Sequence, residues 1–297
     1  MSVATSARAA SSPGRRITLG RAILYALLLF FAVLYLLPLY VMLTTSFKPL
    51  AEIHQGNMLA LPEQWTFAPW REAWGSACIG LECSGVHGYF FNSIKIVVPA
   101  VLISGLLGAF NGYVLTKWKF RGHKIVFGLI LFSCFIPFQI ILLPMARVLG
   151  ILHLANSTSG LVLVHIVYGI GFTTLFFRNY YANFPDELVR AAQLDGAGFF
   201  TIFFRILLPA SVPIIVVTII WQFTNVWNDF LFGVSFASGD SAPITVALNN
   251  LVNSSTGVKA YNVNMAAAMV AAVPTLLVYI LAGKYFLRGL MSGSVKG

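Results

Sequence analysis

PDELVRAAQLDGAGFFTIFFRILLPASVP, residues 185–213, places a short amphipathic pattern between two long apolar runs. Pro185 suits the first turn of a helix, where its missing N–H costs nothing. Asp186 and Glu187 follow it, and negative charge is favoured at that end of the helix dipole. Leu188, Ala191, Ala192 and Asp195 keep helical spacing, which predicts a short helix with Leu188, Ala191 and Ala192 on one face. Gly196 can end that helix in a left-handed conformation. A second helical stretch, 199–208, leads to Pro209. Two short helices around a glycine form an element that fits a cleft on a soluble partner. The alanine pair permits close approach, and a side chain at position 196 would add bulk and strain the turn. By itself the pattern is equally an amphipathic loop with no partner.

The rest of the chain gives that loop its setting. Of 297 residues, 58% are hydrophobic and 9% charged. A soluble domain carries about 25% charged residues, so this chain cannot clothe itself in a polar surface. Crossing a bilayer takes about 20 apolar residues, and six segments qualify: 23–47, 91–116, 125–149, 161–180, 210–236 and 263–287. The expected fold is an all-α membrane protein of six transmembrane helices. Pro99, Pro137, Pro144, Pro213 and Pro274 fall within or beside these spans, where they kink or break helices. Residues 1–20 read as a disordered tail and 291–297 as a second tail, with the transmembrane domain over 21–290. The first apolar run is too long for the core of a cleavable signal peptide.

Loop charge sets direction. The net charge of +10 concentrates in Arg8, Arg15, Arg16 and Arg21, in Lys117, Lys119, Arg121 and Lys124, in Arg178, Arg190 and Arg205, and in Lys284, Arg288 and Lys296. The opposite loops hold only Lys48, Arg71, Arg147 and Lys259. The positive-inside rule then places both termini, both tails and the 185–213 loop in the cytoplasm. The charge reflects this orientation, since no nucleic-acid-binding module is visible. The long outer loop, 48–89, holds Trp65, Trp70 and Trp74, either lying on the outer leaflet or facing an outside partner. Residues 237–262 read as a polar loop, either touching a soluble partner or serving as a solvated connector. In an oxidising compartment Cys78 and Cys83 can bridge; otherwise they are two loop thiols. A lone Cys-x4-Cys pair falls short of a zinc site, and no metal or cofactor is expected.

Gln222, Thr224, Asn225, Trp227, Asn228 and Asp229 put a polar, aromatic patch on the fifth span. Ionisable groups inside a membrane usually face the bundle interior or a cavity. Amides, a carboxylate and an aromatic ring suit a sugar, so Gln222, Asn225, Trp227, Asn228 and Asp229 are candidate pathway residues; a plain interhelical hydrogen-bond cluster is the alternative. His165 in the fourth span reads as a packing residue, and Lys95 snorkels to the outer interface. No phosphate-binding G-x-x-x-x-G-K-[ST] loop and no catalytic constellation is present. The chain is therefore not expected to be an enzyme, and ATP would have to be bound by another chain.

RAAQLDGA followed by RILLPASVP resembles the EAA motif of ABC importer permeases, at Arg190, Ala191, Ala192, Gly196, Ile206, Leu208 and Pro209. The Asp195-Gly196-Ala197 core resembles the carbohydrate branch. Tyr89-Phe90-Phe91-Asn92-Ser93 opening span two, Trp227-Asn228-Asp229 in span five and a basic, glycine-bearing tail extend the likeness over most of the chain. It is similar to the maltose-type permeases without a large additional periplasmic domain, and the Cys78–Cys83 loop leans toward a glucose/mannose-type member. The resemblance implies a permease subunit in a bacterial inner membrane, forming half of a sugar pathway. Its implied partners are a second permease subunit, two copies of a cytoplasmic ATPase and a periplasmic sugar-binding protein. The 185–213 loop, with Glu187 and Asp195 beside the motif positions, would couple to the ATPase. Arg190 departs from the motif's glutamate: either Glu187 takes its place one turn earlier, or Arg190 meets an acidic partner. The competing reading is a secondary transporter driven by an ion gradient, which needs coupling carboxylates or inverted repeats near the midplane. Asp229 is the sole candidate for the former, and no repeat is evident.

Overall fold

The computed structural model describes residues 18–118, 120–253 and 259–291, with side chains placed as far as Gly283. The expected tails at 1–17 and 292–297, Lys119, residues 254–258 and the side chains of Lys284 and Arg288 lie outside the described residues. In chain order the helices are α1 (Leu19–Ser46), α2 (Leu50–Ile53), α3 (Ala68–Gly75), α4 (His87–Lys117), α5 (His123–Ser133), α6 (Phe138–Ile151) and α7 (Thr158–Ala182). They continue as α8 (Asp186–Leu194), α9 (Phe199–Ile202), α10 (Leu208–Ala210), α11 (Val212–Trp227), α12 (Leu231–Phe236), α13 (Ile244–Asn253) and α14 (Tyr261–Met291). A π-helical turn, Phe203–Leu207, joins α9 to α10. The described residues are thus all-helical apart from one isolated bridge between Ile79 and Glu82.

Four of these helices, α1, α4, α7 and α14, are each long and apolar enough to cross a membrane. Two bent pairs reach that length together: α5 with α6, at 103°, and the α9–α10 segment with α11, at 77°. The described residues therefore offer four spans, or six if each bent pair counts as one. The side chains of α1 point almost wholly outward from the rest of the chain.

The third apolar run, 125–149, breaks at residues 134–137, at one of the prolines expected to kink or break a span. Cys134, Phe135 and Ile136 tighten into bonds to the carbonyls three residues back, and Pro137 then holds Ile136 away from helical geometry. Two other expectations need correction. The fifth run, 210–236, ends as a helix at Trp227 and restarts at Leu231. Thr224, Asn225 and Asn228 turn their side chains onto carbonyls four residues back, the local competition by which short polar residues weaken a helix. The supposed polar loop 237–262 contains α13, which buries Ile244, Val246, Ala247 and Leu251 and exposes Asn249, Asn250 and Asn253. Pro99, Pro144 and Pro274, by contrast, sit inside continuous helices.

The centre of the bundle is the α4–α7 seam. Gly108 and Gly112, one turn apart on α4, let the two backbones meet. A Cβ on Gly108 would lie 2.5 Å from Thr173 Oγ1, and one on Gly112 would lie 2.7 Å from the Arg178 nitrogen. Small residues at i and i+4 drive such approaches in membranes, where lipid is as apolar as any side chain. Thr173 Oγ1 donates to the Ser104 carbonyl at 2.9 Å and Asn111 Nδ2 to Thr174 Oγ1 at 3.2 Å, fixing the register. At the other end, Asn262 Nδ2 donates to the Lys48 carbonyl at 3.0 Å, and buried Lys48 reaches the Asn57 carbonyl at 3.1 Å. These bonds pin the end of α1 to the start of α14. Phe47 packs on Trp65, Phe67 and Trp70 beside them, and Cys78 is disulfide-bonded to Cys83.

Gly112→Leu should therefore destabilise the folded chain by about 1–3 kcal/mol through overpacking. Gly105→Leu, whose Cβ meets nothing within 4 Å, should leave the melting temperature in detergent near that of the parent. Equal melting of the two variants would disprove the seam.

Candidate functional site

Two features of this architecture gather most of the candidate residues. The first is the α8–α9 element. Its N-terminal end is tied down by Lys117, whose Nζ donates to the Phe184 carbonyl at 2.6 Å and to Asp186 Oδ1 at 2.5 Å. Its inner face rests on Val189, which is buried, and on half-buried Ala192. Both join a cluster with Ala109 and Tyr113 of α4 and Phe177 and Tyr181 of α7. The helix ends in a Schellman turn: the Gly196 N–H donates to the Gln193 carbonyl and the Ala197 N–H to the Ala192 carbonyl, at 3.0 and 2.9 Å. Gly196 adopts φ of +81°, which L-residues resist.

Beyond the turn, Phe199 and Phe203 pack on Tyr113, whose hydroxyl donates to the Phe199 carbonyl and accepts from Trp118 Nε1. The π turn leads to Ser211, buried at the 77° bend, whose Oγ donates to the Leu207 carbonyl and lies 3.0 Å from the Tyr181 hydroxyl. Among the side chains the element turns outward are apolar ones: Leu188, Ala191, Leu194 at 89% exposure, Phe200 and Phe204. Glu187, Arg190 and Asp195 are exposed on the same helix. Of the motif positions, Ile206 and Leu208 are half-buried against the cluster and Pro209 is exposed. The expected face of Leu188, Ala191 and Ala192 is thus divided. Ala192 turns inward with Val189, an anchor that the sequence reading passed over although it sits three residues before Ala192.

The second feature is a cavity of about 350 Å³ between α7, α11 and the break before α12. His165, Gln222, Asn225, Asn228, Asp229 and Phe232 contribute to its wall. Gln222 is buried and donates from Nε2 to the His165 carbonyl at 3.2 Å. Its position depends on Gly169, where a Cβ would fall 2.1 Å from Gln222 Nε2. Asp229 accepts from the Phe232 and Gly233 N–H groups at 3.3 and 3.1 Å, so its carboxylate caps α12. His165 Nε2 lies 3.7 Å from Asp229 Oδ2. Asn225 and Asn228 are exposed toward this space. The structure brings four of the five pathway candidates to one cavity. The fifth, Trp227, is buried elsewhere: it stacks on Phe223 and donates from Nε1 to the Ala271 carbonyl at 2.9 Å. His165, Tyr168, Gly169 and Phe232 are among the other wall residues, none of them singled out for it. Only the polarity of His165 in an apolar run could have marked it. No group of three or more potential metal ligands occurs among the described residues.

Comparison with known proteins places the chain in a family. Residues 86–290 match the family described as binding-protein-dependent transport system inner membrane component. A probable ABC transporter permease protein of Pyrococcus horikoshii is 41% identical over 95% of this chain and 100% of its own length. A xylose/arabinose import permease protein of Haloferax volcanii is 33% identical, covering 92% of this chain and 93% of its own. A crystallised bacterial ABC transporter involved in alginate import contains a chain of the same fold, with a TM-score of 0.77 at 22% identity, over 89% of this chain and 96% of that one. The chain belongs to the binding-protein-dependent transport family and is an ABC transporter permease, a multi-pass inner membrane component. Members of this family are not themselves catalytic. The ion-gradient alternative falls with that assignment.

If Asp229 holds α12, Asp229→Ala should cost about 0.5–2 kcal/mol locally, as loss of a helix cap does. Amide exchange at Phe232 and Gly233 should accelerate, while Asp229→Asn, which keeps an acceptor oxygen, should retain most of the protection. Unchanged exchange in the alanine variant would remove this role.

Proposed function

We propose that this permease is one of two membrane subunits of an ATP-driven sugar importer and that the α8–α9 element is its dock for the ATPase. In this reading each bent pair is one span, the chain crosses six times, and both termini and the α8–α9 element face the cytoplasm. Two ATPase copies, a second permease and a periplasmic sugar-binding protein complete the assembly. The observation that carries it is the outward apolar surface of α8 and α9, on an element fixed from behind by Val189 and the Schellman turn. An apolar patch rimmed by charge at the end of spanning helices calls for a protein partner.

The cavity beside α11 supplies half of the pathway. Gln222, Asn225, Asn228 and Asp229 offer amide and carboxylate groups, and Tyr168, Trp221 and Phe230 offer rings. That combination suits a polyhydroxylated solute, and the Haloferax relative is named for pentoses. Within the sugars, glucose and mannose are the members to which the Cys78–Cys83 loop first pointed.

The test is copurification with the ATPase. Ala191→Arg and Leu194→Glu alter exposed side chains, so each should leave the chain's own melting temperature unchanged. Each should weaken the complex at least about ten-fold, as charge placed in an interface core does. Variants that hold the ATPase and transport normally would refute the dock. In the reconstituted complex, ATP-dependent uptake of labelled glucose, mannose, xylose and arabinose decides the cargo; accumulation of none of them would refute the sugar reading.

A further inference from the structure

A second cavity of about 350 Å³ opens where α4 closes at Lys117, α5 begins at His123 and α7 nears Ala182. Lys117, Lys124 and Arg178 line it, with one carboxylate, Asp186, against them; His123 and Phe127 complete the chemically distinctive wall. Lys117 is already committed to Asp186 and the Phe184 carbonyl. Lys124 and Arg178 are not ion-paired within the described residues. The Arg178 guanidinium lies 4.4 Å over the Phe127 ring, which fixes its plane. One of its N–H groups reaches Asn179 Oδ1 at 3.3 Å. The remaining donors form a planar fork of the kind that matches a phosphate oxygen pair.

We propose that this cavity binds a phosphate group. Its place favours a phosphate carried by lipid. The ends of two spanning helices and the start of a third mark the boundary between hydrocarbon and water, which is where the phosphates of a bilayer lie. Basic pockets between spanning helices at that depth recruit anionic headgroups. Leu115 and Phe127 give the site an apolar flank for the glycerol side. Asp186 opens α8, so a phosphate drawn to Lys117 competes with the contact that ties down the α8–α9 element. The site itself stands on the cavity and needs no docked ATPase.

The experiment is native mass spectrometry of the full chain in detergent, titrated with phosphatidylglycerol or phosphatidylcholine. In parallel, melting is measured in inorganic phosphate and in chloride at equal ionic strength. Phosphatidylglycerol should be retained over phosphatidylcholine, and Lys124→Gln with Arg178→Gln should reduce retention by roughly 10–30-fold. Variant-sensitive stabilisation by inorganic phosphate without lipid preference would assign the site to free phosphate. Lys124 is exposed, so Lys124→Gln alone keeps the test sound should the double variant melt early. Retention of phosphatidylglycerol that ignores both substitutions, with no variant-sensitive effect of phosphate, overturns the proposal.

Discussion

A helix interrupted at membrane depth frees backbone donors and acceptors that only protein can satisfy there. This chain interrupts its helices three times within apolar sequence, at residues 134–137, at Ser211 and at 228–230, and both candidate features lie against such points. Ser211 spans its bend with Tyr181 and the Leu207 carbonyl. Asp229 answers its break by capping α12, while Thr245 Oγ1 donates to the Asp229 carbonyl at 2.6 Å. The polar groups that first suggest a solute pathway are therefore also those that make the break tolerable. Lining and structure are not competing roles for Asp229; one carboxylate serves the backbone and faces the cavity.

The two features share two helices. α7 carries Phe177 and Tyr181 under the α8–α9 element and, nearer its start, His165 and Gly169 beside the cavity. α11 starts at the Ser211 bend and ends one residue before Asn228. α7 and α11 thus connect the two features within the structure. The α4–α7 glycine seam holds its two members in close contact, and α11 is bent by 77° from the segment before it.

What the sequence made legible follows from the strength of its periodic signals. The long apolar runs and the Pro185-to-Gly196 helix with its glycine stop could be read directly, because composition, capping and spacing all agree. The break at 228–230 was hidden, since hydropathy counts apolar residues and is blind to backbone direction. Pro137 looked no different from Pro99, yet one ends a helix and the other does not; neighbouring side chains and tertiary packing decide between them. α13 was mistaken for a loop because Asn249, Asn250 and Asn253 dominate its composition, although Ile244, Ala247 and Leu251 keep helical spacing. Trp227 was grouped with its polar neighbours by adjacency. On a helix, adjacent residues point about 100° apart, and the indole turns into the α14 contact instead of toward the cavity.

The substitution of Arg190 for the acidic residue of the resembled motif now has a structural reading. α8 is held to its own chain by Val189, Ala192 and the Asp186–Lys117 pair, none of which involves position 190. Arg190 and Glu187 are both exposed, and neither is ion-paired within the described residues. The charge at position 190 can therefore change without cost to the fold, whereas the inward anchors and the φ of Gly196 cannot. Shape on this helix is set from within the chain; charge is left to whatever surface meets it. Both alternatives raised by the sequence, Glu187 in place of the motif's glutamate or Arg190 against an acidic surface, are compatible with this exposure.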